Sequence, residues 1–529
     1  MKSIKVLDVT LRDGGCVNNF NFGQVYMEKI LKAQEMSGVD IIEMGYIDEN
    51  NGTSQGRTQW NSIESISNTL LFEKKQGVNY VAMMDFGKFD VDNLPNRTDR
   101  SIDGLRVAFH KKDMYNMVSV CKTILSKGYD VYIQPMITLR YSDTELLELI
   151  NLVNTELKDA SGFYIVDTFG EMRPNDMARV MNLVDHNLML TMPMGFHSHN
   201  NIQMSYSNAC AMLQFPTKRE LMIDSSIMGM GKGAGNLNTE LLLDHLNVYY
   251  GKSYQLSPLL EVIDKVINQL HSEYYWGYAP EYYLSSANHC TPSYASHFYN
   301  KHQLPIDQVA ELLGMIEEHK KISFDKNYAE EIWRSYNESK NVDDSDIVAE
   351  FKYALKDKKV LLIAPGKSII SNMKKIKELI AQDDVFSIGL NLTEPLNVDV
   401  LMTTRQDVFE TFVSSNKVVM TTSNVSKGAR GNVKVLNYKN WIEISDGRTH
   451  DSSSVITLNL LKACGVKEIL LAGFDGFMVN INENYSDPNL RRPVSVEQVV
   501  RRNAYYKRFI AEIALSGINI KFVTPSKYE

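Results

Sequence analysis

Short apolar runs alternate with amphipathic, helix-length segments from the N-terminus to residue 250. The runs are rich in β-branched and other apolar residues, as strands that are buried on both faces are. Their alternation with helices predicts βαβ units and a parallel sheet. Eight such runs fit a (β/α)8 TIM barrel, while a doubly wound open sheet is the alternative that periodicity leaves open. The predicted strands are 5–10, 40–45, 79–86, 104–110, 129–138, 162–168, 190–197 and 221–228.

The segments between these strands have the period of helices that pack one face on a sheet. The helix that begins near Thr144 has Ser142 or Asp143 as its predicted N-cap, with Glu145 near its positive end. The predicted helices are 24–37, 113–126, 144–155, 175–184 and 201–213.

The barrel is predicted to occupy residues 1–250, and the rest of the chain divides into three parts. Residues 251–340 are predicted to form a helical extension over the barrel, with an aromatic stretch at 274–283 (YYWGYAPEYY). The polar segment 341–356 is the predicted linker. A new α/β pattern then begins with an apolar run, which predicts a second, Rossmann-like α/β domain over 357–529.

Composition narrows the class of protein. Apolar residues make up 44% and charged residues 23%, and the net charge of −8 comes without a basic stripe, so no nucleic-acid partner is expected. The chain has no apolar run long enough to span a membrane and no apolar segment of signal-peptide type at its start. Its five cysteines are scattered without a CxxC pair, which argues against a disulfide framework. We therefore expect a cytoplasmic protein.

Three polar motifs follow predicted strands one, seven and eight, which are neighbours in a closed barrel. They are residues 7–15 (LDVTLRDGG), 195–201 (GFHSHNN) and 229–240 (GMGKGAGNLNTE). His197 and His199 are two residues apart, so an extended strand turns both imidazoles to one face, which suits two ligands of one metal. All three motifs fall at carboxyl ends of strands, where catalytic residues of this fold collect.

Each motif alone has an ordinary explanation. An HxH pair is often a hydrogen-bonded loop pair, the RDG of residues 12–14 is a common surface turn, and a single glycine-rich loop is weak evidence for an anion site. Their convergence at adjoining strand ends favours a functional site.

The combination of TLRDG, HSHN and GMGKGAGN resembles the metal-dependent aldolase and acyl-CoA lyase superfamily, whose barrel is pyruvate-carboxyltransferase-like. The resemblance is closest to the 4-hydroxy-2-oxovalerate aldolases and covers residues 3–310. Further matching stretches are 104–110 (GLRVAFH), 164–170 (YIVDTFG) and 276–282 (WGYAPEY).

The resemblance implies a site and a reaction. Asp13, His197 and His199 would bind a divalent metal, with Asn236 as a possible further ligand and Arg12 facing the substrate oxygens. Such ligands suit Mn²⁺ or Mg²⁺, with Co²⁺ or Zn²⁺ also possible. The implied reaction cleaves a 4-hydroxy-2-oxo acid into an aldehyde and a pyruvate enolate, or it runs in reverse as a condensation.

One position departs from the nearest relatives, which carry a proton-transferring histidine three residues after the metal-binding aspartate. This chain has Cys16 there, and a thiol of ordinary pKa is a poor replacement. The alternative proton carriers are Glu43, Asp85, His110 and Tyr278, and each is equally compatible with a buried, hydrogen-bonded polar role.

Other interpretations stay open at this point. A Claisen-type acyl-CoA lyase or synthase is less favoured, because loop 229–236 lacks the cysteine of hydroxymethylglutaryl-CoA lyases. A barrel that has lost catalysis and serves as a binding scaffold is the rival from another class. Segments 361–368, 387–392 and 468–476 are faintly similar to bacterial sialyltransferase-like glycan domains, which suggests surface-polysaccharide or unusual-sugar biosynthesis, and a domain for assembly is equally compatible. We expect a homo-oligomer.

Overall fold

The structure is a computed structural model that describes residues 3–50, 55–69, 74–302, 304–393, 396–425, 429, 431–445, 448–490 and 496–529. The chain divides into two compact units, Met1–His302 with Val309–Asp325 and Gln303–Gln308 with Lys326–Glu529. Among the described helices, none is both long and apolar enough to cross a bilayer.

The first unit contains a closed parallel barrel of eight strands, which confirms the predicted TIM barrel. The strand order is β1-β9-β8-β7-β6-β5-β4-β2, and β1 pairs with β2 to close the ring, while the two-residue β3 extends β2. The strands are β1 Ile4–Asp8, β2 Ile41–Ile47, β3 Gln59–Trp60, β4 Asn79–Asp85, β5 Gly104–Phe109, β6 Asp130–Pro135, β7 Gly162–Asp167, β8 Met194–Ser198 and β9 Leu221–Ser225.

Helices surround the barrel and continue beyond it, and short 3-10 and π turns connect some of them. The first unit has α1 Gln24–Ser37, α2 Ile63–Thr69, α3 Met117–Ser126, α4 Asp143–Glu156, α5 Pro174–Asn187, α6 Ser205–Gln214, α7 Thr239–Tyr250, α8 Ser257–Val262, α9 Asn268–Glu273, α10 Pro280–Ala287 and α11 Pro292–Ser296. Ser142 is the N-cap of α4 and forms a capping box with Glu145, so Ser142 rather than Asp143 caps this helix.

The second unit contains a parallel sheet of seven strands, in the order β14-β13-β12-β11-β10-β17-β18, as the predicted α/β domain requires. A short antiparallel pair, β15 and β16, stands apart from that sheet. The strands are β10 Lys359–Ile363, β11 Val385–Leu390, β12 Val400–Met402, β13 Val418–Thr422, β14 Val433–Leu436, β15 Glu443–Ser445, β16 Arg448–His450, β17 Glu468–Ala472 and β18 Asn519–Phe522. The later helices are α12 Ile306–Gly314, α13 Lys326–Glu338, α14 Ser345–Ala354, α15 Ser368–Ser371, α16 Met373–Ile380, α17 Gln406–Val413, α18 Tyr438–Trp441, α19 Ser453–Ala463 and α20 Val496–Leu515.

Residues 341–356, expected to form a linker, contain α14 and lie in the second unit. The buried Phe351 lies on this helix, and the Asp344 carboxylate before it accepts hydrogen bonds from Asn437 N at 2.8 Å and Trp441 Nε1 at 2.6 Å. Packing of its buried face therefore stabilises helix α14 within this polar segment, and the composition of the segment does not predict that packing.

Side chains inside the barrel form layers, and this layering positions the site. An apolar layer includes Ile41, Tyr164 and Met222. Because strand side chains alternate between faces, residues two positions further along also point inward, one layer nearer the carboxyl ends. Those positions after Ile41 and Met222 are Glu43 and Asp224, so the interior changes from apolar to charged toward the carboxyl ends of the strands.

Glycines in the barrel make room for this interior. A Cβ on Gly195 would lie 2.5 Å from the ring of Tyr164, so β8 carries no side chain there. The next inward-facing positions are His197, on β8, and His199, directly after it. Both lie nearer the carboxyl ends of the strands than Tyr164 does. The HxH spacing thus places both imidazoles at the carboxyl-end mouth of the barrel, as the sequence predicts.

Candidate metal centre

Asp13, His197 and His199 form a compact cluster of metal-ligand type at the carboxyl ends of β1 and β8. One ligand atom from each residue lies within 4.8 Å of the others, and all three residues are buried. The two imidazole rings stand nearly perpendicular, at 89°, with their centroids 5.4 Å apart. The structure therefore brings together the three residues that the sequence analysis nominated as ligands.

Asn236 completes the cluster from the glycine-rich loop after β9. Its Nδ2 donates to Asp13 Oδ2 at 2.6 Å and to the Met230 carbonyl at 3.2 Å. Its Oδ1 is buried and has no hydrogen-bond partner among the described residues. A Cβ on Gly231 would lie 2.4 Å from Asn236 Nδ2, so the loop needs glycine to approach this closely.

These residues fit a bound divalent cation. An orphaned buried amide oxygen is costly, and a cation beside it is one group that would satisfy it. A carboxylate, two imidazoles and an amide oxygen form a donor set that suits Mn²⁺ or Mg²⁺ and also accommodates other divalent ions.

Asp224, on β9, fixes the orientation of His197. Its Oδ2 lies 2.9 Å from His197 Nδ1, so a proton on Nδ1 leaves Nε2 with a free lone pair. Metal-binding histidines are commonly held in this way by a second carboxylate, which selects the tautomer. Sequence reasoning missed Asp224, although a lone acidic residue in the strand LMIDS was the available signal.

Arg12 lies beside the cluster and is held by two carboxylates. Its Nε donates to Glu43 Oε2 at 2.7 Å and its Nη1 to Asp13 Oδ1 at 3.0 Å. Its Nη2 is buried and has no hydrogen-bond partner among the described residues. Burial disfavours the guanidinium charge, but Glu43 and Asp13 outweigh burial and raise the pKa of Arg12. Arg12 therefore has one donor that could serve a ligand.

Arg106, on β5, links the remaining charges. It is wholly buried, its Nη1 lies 3.0 Å from Glu43 Oε1, and its Nη2 pairs with Asp224. Its guanidinium also lies 4.8 Å from the centroid of the Tyr164 ring. Side chains of alternating charge thus connect Arg12, through Glu43, Arg106 and Asp224, to the imidazole of His197. The sequence analysis did not predict this series of ion pairs.

Electrostatics keep the candidate ligands in their binding forms. Burial raises the pKa of Asp13, but His199, Arg12 and His197 together hold it well below its usual range. Burial lowers the pKa of His199 to about 4, although Asp13 opposes this shift. A carboxylate and a neutral imidazole are the protonation states in which these side chains bind metals.

The proposed proton carriers lie in different surroundings. The Cys16 Sγ lies 3.9 Å from Asp13 Oδ1, and burial of the thiol together with Asp13 raises its pKa to about 12, although the residue retains an exposed surface. Both carboxylate oxygens of Glu43 face arginines. His110 is half-buried after β5, where it interacts electrostatically with Asp85, the last residue of β4.

Tyr278 is 52% exposed, and its carbonyl accepts a hydrogen bond from the Tyr275 hydroxyl. The aromatic stretch attaches to the glycine-rich loop through Trp276, which is buried and donates from Nε1 to the Met228 carbonyl at 3.0 Å. Further along, the Ser286 hydroxyl donates to the Phe169 carbonyl in the loop after β7. Residues 276–286 therefore contact loops at the carboxyl end of the barrel.

Comparison with known proteins finds similarity to one family and its relatives. Residues 105–264 match the sequence profile of the family described as HMGL-like. The 4-hydroxy-2-oxovalerate aldolase of Geobacillus genomosp. 3 is 26% identical over 244 residues, which are 46% of this chain and 70% of the relative. That of Chloroflexus aggregans is 29% identical over 257 residues, which are 47% of this chain and 72% of the relative.

Among solved structures, the HMG-CoA lyase from Brucella melitensis aligns with a TM-score of 0.41 at 13% identity, over 51% of this chain and 100% of that chain. The match to the family profile lies within the unit that contains the barrel. The barrel of this chain is therefore similar to HMGL-like proteins, with distant homology to the 4-hydroxy-2-oxovalerate aldolases over about half of the chain.

Proposed function

We propose that the barrel is a divalent-metal-dependent, aldolase-type lyase that acts on a 4-hydroxy-2-oxo acid, or catalyses the reverse condensation. The observation that carries this proposal is the buried Asp13–His197–His199 cluster with the Arg12 guanidinium held beside it. The named relatives are aldolases of that class, which supports the choice of a 2-oxo acid and an aldehyde as reactants.

Asp13, His197 and His199 would hold the metal, with Asn236 Oδ1 as a further donor. When bound, the metal supplies Lewis-acid chemistry at the oxygens of a 2-oxo acid. Asp224 holds His197 in one tautomer, and the Asn236 amide holds Asp13. Both contacts preorganise the ligand set before substrate arrives.

Arg12 is placed to stabilise negative charge on the substrate. Cleavage of the C3–C4 bond leaves the pyruvate fragment as an enolate, whose oxygen becomes the anionic centre. The ion pairs with Glu43 and Asp13 fix the guanidinium, and its Nη2 is the donor left for such an oxygen. A fixed, buried donor of this kind stabilises a developing charge without reorganising.

The charge balance of the site also favours an anionic substrate. The carboxylates of Asp13, Glu43 and Asp224 face the guanidinium groups of Arg12 and Arg106, so these five side chains together carry one net negative charge, and neutral imidazoles add no charge. A divalent cation reverses this to one net positive charge. The carboxylate of a 2-oxo acid neutralises that charge, as buried charges require.

The test is release of pyruvate from a panel of 4-hydroxy-2-oxo acids by the full chain with added Mn²⁺, followed by coupled oxidation of NADH by lactate dehydrogenase. We expect at least one member of the panel to give metal-dependent pyruvate. A protein that binds the metal yet releases no pyruvate from any member would instead match the scaffold alternative. Links to glycan biosynthesis, a homo-oligomeric state and a cytoplasmic location stay predictions.

A further inference from the structure

The proposed cleavage requires a group that removes the proton of the C4 hydroxyl, and three of the candidates are poorly placed for it. Glu43 has one oxygen 2.7 Å from Arg12 Nε and the other 3.0 Å from Arg106 Nη1. Tyr278 is 52% exposed. Cys16 directs its Sγ toward the Asp13 carboxylate. The remaining candidates, Asp85 and His110, lie at the carboxyl ends of β4 and β5.

Asp85 ends β4 on the same face of the barrel as Arg12. It pairs with Ala108 on β5, and His110 lies two residues beyond that partner. The side chain of Asp85 is half-buried, so a substrate can reach a carboxylate that is largely shielded from water. Arg12 and Asp85 interact electrostatically, and the Arg12 charge lowers the pKa of the Asp85 carboxyl.

A bulge in β2 brings Tyr46 to this carboxylate. The register between β2 and β4 shifts between Glu43 and Tyr46, and the intervening Gly45 has φ +133°. A Cβ at Gly45 would lie 2.1 Å from the Thr58 carbonyl oxygen, so this position requires glycine. Beyond the bulge, Tyr46 interacts with the Asp85 side chain and lowers the pKa of its carboxyl.

The surroundings suit a carboxylate that accepts and returns a proton. The charged and titratable groups that act on Asp85 are Tyr46 from β2, Arg12 after β1, His110 after β5 and Lys88 on its own loop. Burial raises the pKa of Asp85, while these four groups oppose the shift. A raised carboxyl pKa brings the base nearer to neutral pH, where general-base catalysis is more efficient.

We propose that Asp85 is the catalytic base for the C4 hydroxyl and that Tyr46 is its positioning residue, an inference that rests on the proposed aldolase function. The proton of the hydroxyl passes to the Asp85 carboxylate, and the oxygen forms the C=O bond of the aldehyde. The C3–C4 bond breaks, and its electron pair becomes the enolate. Return of one proton to C3 gives pyruvate, so the reaction needs no further co-reactant.

The direct test is Asp85→Asn in the full chain, because asparagine keeps the shape and an oxygen for Tyr46. We expect pyruvate release to fall by roughly 10²–10⁴-fold, the usual contribution of a general base. Bound Mn²⁺ and thermal stability should remain near those of the unsubstituted protein. Asp90→Asn, which alters an exposed carboxylate on the loop after the same strand, is the matched control and should retain activity.

A second variant keeps the inference testable if Asp85→Asn does not fold. Tyr46→Phe removes an interaction that favours the Asp85 carboxylate, so the acidic limb of kcat/KM should move to higher pH. In the metal-free protein, an infrared titration should show the carboxyl signal that Asp85→Asn removes, and Tyr46→Phe should move its midpoint in the same direction.

Near-normal turnover in a folded Asp85→Asn variant would overturn the assignment of the base while leaving the aldolase proposal intact. An acidic limb that does not move in Tyr46→Phe would overturn the positioning role. Absence of pyruvate from the unsubstituted, metal-loaded protein would instead overturn the aldolase proposal itself, so the two failures are distinguishable.

Discussion

The mouth of the barrel has two sides that differ in how the sequence encodes them. The candidate metal side consists of Asp13, His197, His199 and Asn236, and comes from three motifs after β1, at the end of β8 and after β9. The proposed proton side consists of Tyr46, Asp85 and His110, which are single residues on β2, on β4 and after β5.

The difference follows from what each side must do. Several ligands of one ion need fixed mutual spacing, and this leaves a recognisable pattern such as HxH or a glycine-rich loop. Proton transfer needs only one group of suitable pKa, and several residue types can supply it. The metal side can therefore be found from sequence, whereas several residues remain candidates for proton transfer until the fold is known.

The largest expected effect comes from breaking the metal side alone. The double change His197→Ala and His199→Ala removes two of the candidate ligands, so the protein should lose its bound divalent ion and its pyruvate release. Metal analysis of the purified full chain measures this, with the exposed His186→Ala as matched control. Unchanged metal content in the double variant would remove these histidines from the site.

Arg106→Met tests the ion pairs that connect the two sides. It leaves Glu43 and Asp224 buried without their shared partner, and breaking a buried pair typically costs about 3–5 kcal/mol. Hydrogen exchange of barrel peptides in denaturant should show the loss, and Mn²⁺ affinity should fall because Asp224 no longer holds His197 firmly. A variant with unchanged hydrogen-exchange protection and unchanged Mn²⁺ affinity would show that the ion pairs of Arg106 are needed neither for stability nor for metal binding.

Arg12→Lys separates charge from geometry where the two sides meet. Lysine keeps the positive charge but lacks the planar guanidinium. In Arg12 this group pairs with both Glu43 and Asp13 and still leaves one N–H donor free. We expect the metal to stay bound and turnover to fall by roughly 10²–10³-fold, or about 2.7–4 kcal/mol. Steady-state kinetics with Mn²⁺ measure this, and turnover close to normal would exclude Arg12 from the reaction.

The pH dependence of stability gives the smallest of these effects. Burial lowers the pKa of His199 from 6.5 to about 4, so the unfolded chain takes up a proton in this window that the folded protein does not. The free energy of unfolding of the metal-free protein should therefore fall as pH drops from 6.5 to 4, by about 1–3 kcal/mol. His199→Gln should flatten this decline and His186→Gln should not, as read from hydrogen exchange of barrel peptides.

Much of the fold could be predicted from periodicity, because buried parallel strands are apolar runs at regular spacing. The exact ends of the strands and helices were harder to predict. The run 190–197 predicts a strand that in the structure is β8, Met194–Ser198, and Pro193, which lacks a backbone donor, directly precedes it. The helix α14 inside the expected linker and the two-residue β3 depend on tertiary contacts.

In the site, Asp13 and the two histidines were predictable because they lie in motifs, whereas Arg106 and Asp224 lie in strands that otherwise look apolar. A charge in such a strand signals a buried partner, but the sequence does not say which residue that partner is. The contact of Tyr46 with Asp85 depends on the bulge at Gly45, which alternation along the strand does not reveal.

The most direct measurement is the rate of pyruvate release plotted against the Mn²⁺ bound per chain, with a 4-hydroxy-2-oxo acid as substrate. The account predicts no release from chelated protein and a rate that rises in proportion to bound metal until the site formed by Asp13, His197 and His199 is filled. A full rate in chelated protein, or a filled site with no pyruvate from any such acid, would contradict it.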